Sequence, residues 1–383
     1  MNPFFSLGWF VLSILVTPAS LWASQNAFGE FSYHLFKDFS QNHSSKNFVF
    51  SPYSLRSALG MAALGARGRT QRQLGKLPDS LGSKKEPSYK FLLANRLWVD
   101  MEFPLLGSFL DTNEKVFGVR PWMVDFSKAP DFLRDRVNGW VSERTMGKLK
   151  SILPENFISA GIRMLLTSAA YFKGVWAYPF SQADTEKNQF STPDGKIIIP
   201  YLHKRGAFNY LQTQEAQILE LPYLEGEISL VMILPDSSRD FSYFEESLHS
   251  DRVEQWLSEV SVKALNIYIP SFEIDSDFEL KNALEGVGVT NPFSLETADF
   301  SGMTGKKDLY LSSLIHKAFI GVNDAGTEAS SVGAAASSRN LASTLPSLDL
   351  SHETLFRADH PFVFMIRHRS SNSILFFGHV VHP

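Results

Sequence analysis

The residues equipped for chemistry do not gather into a catalytic pattern. The chain of 383 residues holds ten His and no Cys, yet it carries no His-Glu-x-x-His, Gly-x-Ser-x-Gly, Walker or Gly-x-Gly-x-x-Gly motif. Each of those chemistries depends on spacing, because a nucleophile or ligand works only when its partner sits within hydrogen-bonding reach. Asp324 and Glu328 could pass for a carboxylate pair, but they flank a run of small residues and read as solvated charges. No catalytic residue, metal ligand or cofactor is expected. The segment around them is what stands out: Gly326 to Ser338 contains nothing larger than Val332 and Glu328. By composition alone such a tract is a flexible linker. It is followed by Leu341 to Ala358 and two strand-like runs, Phe362 to Arg367 and Ile374 to Val381, so it reads as an internal exposed loop.

The elements that must carry this loop are legible in the hydrophobic pattern. Phe28, Phe31, Leu35 and Phe39 recur at helical spacing. Ser51-Pro52 reads as an N-cap with Pro at the first helical position, and Leu55, Leu59, Ala62 and Ala63 continue its buried face to Gly65. Phe132, Leu133, Val137, Trp140 and Val141 mark a further helix, with Arg134, Asp135, Asn138 and Glu143 toward solvent. Met164 to Phe172 and Ile228 to Leu234 are almost continuously apolar, as central strands covered on both faces would be. Leu265, Ile267 and Ile269, and later Phe362, Phe364 and Ile366, are read as alternating, half-exposed strands. Helices come first and strands later, which gives an α+β class. No linker divides the chain, so a single large domain is expected.

Composition narrows the function classes. With 44% hydrophobic residues, 20% charged residues and a net charge of −4, the chain is globular and has no global attraction to nucleic acid or anionic membrane. Residues 1–23 read as a secretory signal, because Phe4 to Val16 is nearly all apolar and small residues follow it. The run is too short to span a bilayer, which takes about 20 apolar residues. Export to the extracellular space or periplasm is therefore expected, with a fold held by packing and no disulfides. Asn42-His43-Ser44 fits the glycosylation acceptor pattern, but a single such triplet arises often by chance.

Several motifs together resemble the serpin family over essentially the whole chain after the signal segment. They are Phe50-Ser51-Pro52-Tyr53-Ser54, Gly65-Ala66-Arg67-Gly68-Arg69-Thr70, Ala94-Asn95-Arg96-Leu97-Trp98, and Tyr171-Phe172-Lys173-Gly174-Val175-Trp176. Later come Ile269-Pro270-Ser271-Phe272, Ala298-Asp299-Phe300-Ser301-Gly302-Met303, and His360-Pro361-Phe362-Val363-Phe364 with Phe377-Gly378. Most specific is His316-Lys317-Ala318 followed by Asn323-Asp324-Ala325-Gly326-Thr327-Glu328-Ala329, which resembles the reactive-loop hinge of inhibitory members. The resemblance implies one α+β serpin domain over 24–383. It would have a large central mixed β-sheet, further sheets, about eight helices and an exposed reactive loop at about 324–356.

It also implies a mechanism. A target endopeptidase acylates the loop, and the freed hinge enters the main sheet as a new strand, trapping the enzyme as a suicide complex. The hinge residues are Asp324, Gly326, Thr327, Ala329, Ser331 and Gly333. If Thr327 faces inward, alternation turns Ala329, Ser331, Gly333, Ala335 and Ser337 inward too. All are small, and a bulky residue there would overpack at roughly 1 to 3 kcal/mol each. About a dozen added ladder bonds at roughly 0.5 to 1.5 kcal/mol each give on the order of 10 kcal/mol, comparable to the about 5 to 15 kcal/mol that holds a protease domain together. By resemblance, Ser51, Ser54 and His316 belong to a polar cluster beneath the point where the sheet opens, and Trp176 lies at the top of the opening. Ser168 stands where the family usually has Asn, a departure that bears on the cluster's hydrogen bonding.

The family's spacing puts the reactive bond between Asn340 and Leu341. A one-residue shift would present Arg339 instead. The target thus stays open among trypsin-like, chymotrypsin-like and asparagine-specific enzymes. Cutting after Asp349 would add roughly 30 Å of slack, and trapping should then fail. The stretch Leu341 to His360 is longer than in most members. Leu74 to Ala94 is short, and Lys84, Lys85 and Lys90 read as solvated surface, so no strong heparin binding is expected. A monomer is expected. The alternative reading is a non-inhibitory serpin acting as carrier, chaperone or storage protein, whose hinge would tend to carry bulky or charged inward residues.

Overall fold

A computed structural model describes residues 27–75, 88–327 and 353–383. The first helix, α1 (Ala27–Asn42), buries Phe31, Leu35 and Phe39, as their spacing requires. It leads through β1 (Phe48–Phe50) into α2 (Pro52–Ala63), α3 (Gly68–Leu74), β2 (Tyr89–Leu93), β3 (Arg96–Asp100), α4 (Gly107–Phe117), β4 (Trp122–Val124) and α5 (Pro130–Arg144). Strands dominate next: β5 (Met164–Val175), β6 (Glu186–Thr192), β7 (Gly195–Gln212), β8 (Ala216–Pro222) and β9 (Ile228–Pro235). Then come α6 (Phe241–Ser247), α7 (Ser250–Glu259), β10 (Ser261–Pro270), β11 (Phe272–Glu279), α8 (Lys281–Gly286), α9 (Ser301–Thr304), β12 (Ser313–Val322), β13 (Gly326–Thr327), β14 (Thr354–Arg357), β15 (Phe362–His368) and β16 (Ser373–Val380). Nine α-helices thus lie among the described residues, against about eight expected, and they interleave with strands instead of preceding them.

Two mixed sheets organise these elements. One has nine strands in the order β1-β16-β15-β9-β8-β7-β10-β14, with β6 on β7. The other has seven, in the order β11-β12-β13-β5-β3-β4, with β2 on β5. The middle of the second sheet is the important part. There β5 and β12 run parallel as direct neighbours from Leu165 and Ser313 to Tyr171 and Phe319. Beyond that point they part, and β13 fills the gap.

The β5 run is buried on both faces because it separates two cores. Met164 and Leu166 join the core under α1 and α2, while Leu165 and Ala169 pack with Leu133, Val137 and Val141 of α5. Helix α2 lies so deep that all its residues but Tyr53 are buried. Its start is built as the Ser51-Pro52 pair predicts, with the Ser51 side chain accepting the Ser54 N–H.

Three sequence expectations are corrected. β15 is not half-exposed: Val363 and Met365 join one core and Phe362, Phe364 and Ile366 another, because the strand lies between β9 and β16 inside the larger sheet. The second half of β10 is likewise mostly buried, including Tyr268. On α5, Phe132 is 64% exposed instead of buried and lies beside the Arg136 guanidinium. Of its residues read as solvent-facing, Asn138 turns inward and accepts the N–H groups of Ile152 and Leu153, whereas the Arg134 guanidinium pairs at the surface with the exposed Asp131 and Asp135.

Candidate functional site: the opening between two strands

At the top of the gap the chain leaves β12, turns at Asn323 to Gly326, and comes back as β13. The turn forms because the Asn323 carboxamide oxygen accepts the N–H of Ala325 at 3.0 Å and of Gly326 at 3.1 Å, an Asx turn. The Asn323 N–H donates to the Gly326 carbonyl at 2.9 Å, closing the hairpin. β13 then pairs on both sides, Thr327 with Val322 of β12 and Gly326 with Val175 of β5. Only glycine fits at 326, since a Cβ there would stand 2.1 Å from the Gly174 carbonyl oxygen.

This corrects the expectation that the exposed loop begins at 324. Ala325, Gly326 and Thr327 are buried before any cut, and Asp324 is half-buried, its carbonyl accepting the Phe180 N–H at 2.9 Å. Thr327 points inward and shares a 2.5 Å hydrogen bond with the Tyr223 hydroxyl. Burial pushes the Tyr223 phenol well above its ordinary range, so it is neutral and able to donate. The Tyr223 ring stacks on Trp176 at 4.6 Å and meets Phe172 edge-on at 4.9 Å. The Trp176 indole N–H donates to the Asn323 carbonyl at 2.9 Å and its backbone N–H to Ala325 at 3.1 Å. Trp176 therefore lies against the turn itself.

Lower down, the structure brings Ser51, Ser54, Ser168 and His316 into one hydrogen-bonded chain. The Ser51 N–H donates to His316 Nε2 at 2.9 Å. That fixes the tautomer: Nε2 is the acceptor, so the ring proton is on Nδ1, which donates to Ser168 Oγ at 3.0 Å. The Ser54 hydroxyl donates to Asn95 Oδ1 at 2.9 Å, and the Ser168 hydroxyl donates to Ser54 Oγ at 3.0 Å. Asn95 returns a bond from Nδ2 to the Ser54 carbonyl at 3.0 Å. His316 and Ser168 are also register partners across β12 and β5, so the cluster ties the two strands together. Ser168, in place of the usual Asn, still bridges His316 and Ser54. Burial holds the His316 imidazole down to about 3, neutral at ordinary pH.

Sequence reasoning missed two members of this arrangement. Asn95 enters the sequence analysis only within the motif at 94–98, and Tyr223 carries no motif at all. Tyr223 joins the site through the bridge that pairs it with Trp176, a contact between distant segments with no local signature. Ala329, Ser331, Gly333, Arg339, Asn340 and Leu341 lie outside the described residues, as do residues 1–23, Lys84 and Lys85. Lys90 is exposed, as read. Among the described residues no group of His, Cys, Asp or Glu could hold a metal ion, and no helix is long and apolar enough to cross a membrane.

A family model described as serpin (serine protease inhibitor) matches residues 26–383. The leukocyte elastase inhibitor of Xenopus tropicalis is 34% identical over 376 residues, covering 92% of this chain and 97% of that protein. Serpin B10 of Rhinolophus ferrumequinum is 30% identical over 396 residues, covering 92% and 98%. Among solved structures, uncleaved ovalbumin superposes with a TM-score of 0.80 at 27% identity, covering 96% of this chain and 100% of the other.

Proposed function

This chain belongs to the serpin family and is a protease inhibitor, not an enzyme; from that premise we propose that it acts irreversibly, as a suicide substrate of serine or cysteine endopeptidases. The target cuts the reactive loop at Asn340-Leu341, or one residue earlier after Arg339. The freed hinge of Asp324, Gly326, Thr327, Ala329, Ser331 and Gly333 then runs down between β5 and β12, dragging the acyl-enzyme with it.

The observation that carries this reading is the register of β13. Thr327 lies opposite Gly174 on β5 and opposite Val322 on β12. Continued in the same register, an entering strand would set Gly333 between Ser168 and His316 and Ser337 opposite Met164, the first residue of β5. The whole of β5, 12 residues long, would be paired just before the reactive bond. A residue without a side chain would then fall between the two strands at the pair now joined by the His316–Ser168 hydrogen bond. Entry exchanges the β5–β12 ladder for two new ladders, a gain of about one extra strand's bonds at roughly 0.5 to 1.5 kcal/mol each.

Ser51, Ser54, Ser168 and His316 act as the clasp that yields during entry, and Trp176 supports the turn above it. The leukocyte elastase inhibitor among the relatives makes elastase-like enzymes the first targets to try, beside trypsin-like, chymotrypsin-like and asparagine-specific ones. Residues 1–23 serve as a secretory signal ahead of a single domain from 24. The names of the relatives lend export no support, so this part rests on the apolar run alone, and N-terminal sequencing of the protein from culture medium tests it.

Loop insertion is tested by nicking the loop with a protease that is not trapped and comparing thermal unfolding before and after. Insertion predicts a large rise in melting temperature, since on the order of 10 kcal/mol is added. An unchanged or lower melting temperature would refute it.

A further inference from the structure

Two residues of the hinge are already a strand in the uncut chain, and beside the backbone pairing to β5 and β12 they make one buried contact between hydroxyls. Thr327 is fully buried, and the bond to Tyr223 joins it to a ring that is itself fixed by the Trp176 stack and by Phe172. Around it, Gly326 is pressed so closely on Gly174 that no other residue would fit, and Gly174 in turn has no room for a Cβ beside Phe172 and Tyr223. The wedge is thus built for this backbone. Among the described residues, the side-chain hydrogen bond this strand makes is Thr327 to Tyr223.

We propose that Tyr223 is a positioning residue, whose hydroxyl holds Gly326–Thr327 seated between β5 and β12 so that strand entry is nucleated before the loop is cut. Strand and helix formation alike are slowest at the first contact, because residues must be ordered before the bonds that reward them exist. A hinge already ordered at Thr327 skips that step. After acylation, entry then competes with deacylation from a head start. The kinetic consequence rests on the inhibitory reading above, whereas the seating of the strand does not.

The asymmetry of buried hydrogen bonds supplies a sharp test. Removing one hydroxyl leaves its partner buried and unsatisfied, while removing both leaves an apolar contact. Amide exchange across residues 323–327 is therefore followed by mass spectrometry in the uncut full-length chain, for wild type, Tyr223→Phe, Thr327→Val and the double variant. Each single variant is expected to exchange about tenfold faster in this segment, and the double variant to recover most of the protection. Thr327→Ser, which keeps the hydroxyl, should behave as wild type. Should Tyr223→Phe fail to fold, Thr327→Val makes the same prediction with the aromatic stack intact.

The second readout is the fraction of inhibitor cut without trapping. With pancreatic elastase or chymotrypsin as probe, whichever the wild type traps, this fraction should rise several-fold for each single variant. Exchange in the single variants within twofold of wild type, or a double variant no better than the singles, would overturn the assignment. If exchange follows the prediction and neither enzyme is trapped by any form, the seated strand stands and the inhibitory reading falls.

Discussion

Acid should loosen this protein at one identifiable side chain. His316 is neutral in the fold: Nε2 accepts from Ser51 and Nδ1–H donates to Ser168, and burial keeps its pKa near 3 against an ordinary 6.5. In the unfolded chain it takes up a proton near the ordinary value, so the unfolded state binds more protons below that pH. The stability contributed by the neutral ring is fully present above about 6.5. It is lost as pH falls toward about 3, at about 1.4 kcal/mol per unit. Between pH 7.5 and 4.5, two units lie below the ordinary value, which amounts to a loss of about 3 kcal/mol. Urea unfolding at both pH values measures the total, to which other groups add. His316→Gln isolates the part due to this ring, because the amide can accept from Ser51 and donate to Ser168 and does not titrate. The variant should be less stable at pH 7.5 but should lose about 3 kcal/mol less than wild type on acidification. Equal losses in the two proteins would refute the neutral, buried imidazole.

Other perturbations follow from the same geometry. Thr327→Arg should turn an inhibitor into a plain substrate, since a guanidinium would have to be desolvated against Tyr223 at several kcal/mol; gel analysis of covalent complex against cleaved product reads this directly, and undiminished trapping would contradict the inward register. Ser168→Ala should cost about 1 to 3 kcal/mol in urea unfolding, because His316 Nδ1–H is left buried without an acceptor. Gly326→Val should expel β13, because its Cβ would stand 2.1 Å from a carbonyl oxygen; the turn at 323–326 should then become a site of rapid proteolytic nicking, while wild type resists there.

Much of this architecture was legible because local pattern and tertiary position agree. The continuous apolar runs of β5 and β9 are buried over their whole length or nearly so, and the Ser-Pro start of α2 is capped as its chemistry requires. Where the reading failed, position in the sheet decided against pattern. β15 was read as alternating, yet both its faces meet cores, and its odd and even residues are alike apolar. Phe132 fits a helical stripe but stays outside, beside the Arg136 guanidinium, while the adjacent Leu133 is buried. Within the site, the serines and His316 are legible through family motifs, and Ser168 bonds both His316 and Ser54. Asn95 and Tyr223 were not found, since each is recruited by a segment far away in sequence. The seating of Ala325 to Thr327 was missed because small residues look the same in a loop and in a tight strand.

The most direct test of the account is to mix the protein with elastase-, trypsin-, chymotrypsin- and legumain-like proteases, look for a denaturant-stable covalent complex, and sequence the released C-terminal fragment. The account predicts a complex with at least one of them and a fragment beginning at Leu341, or at Asn340 if Arg339 is the residue presented. Clean cleavage in this loop by every enzyme, with no complex and no gain in thermal stability, would contradict trapping by insertion and favour a serpin whose loop is cut without entering the sheet.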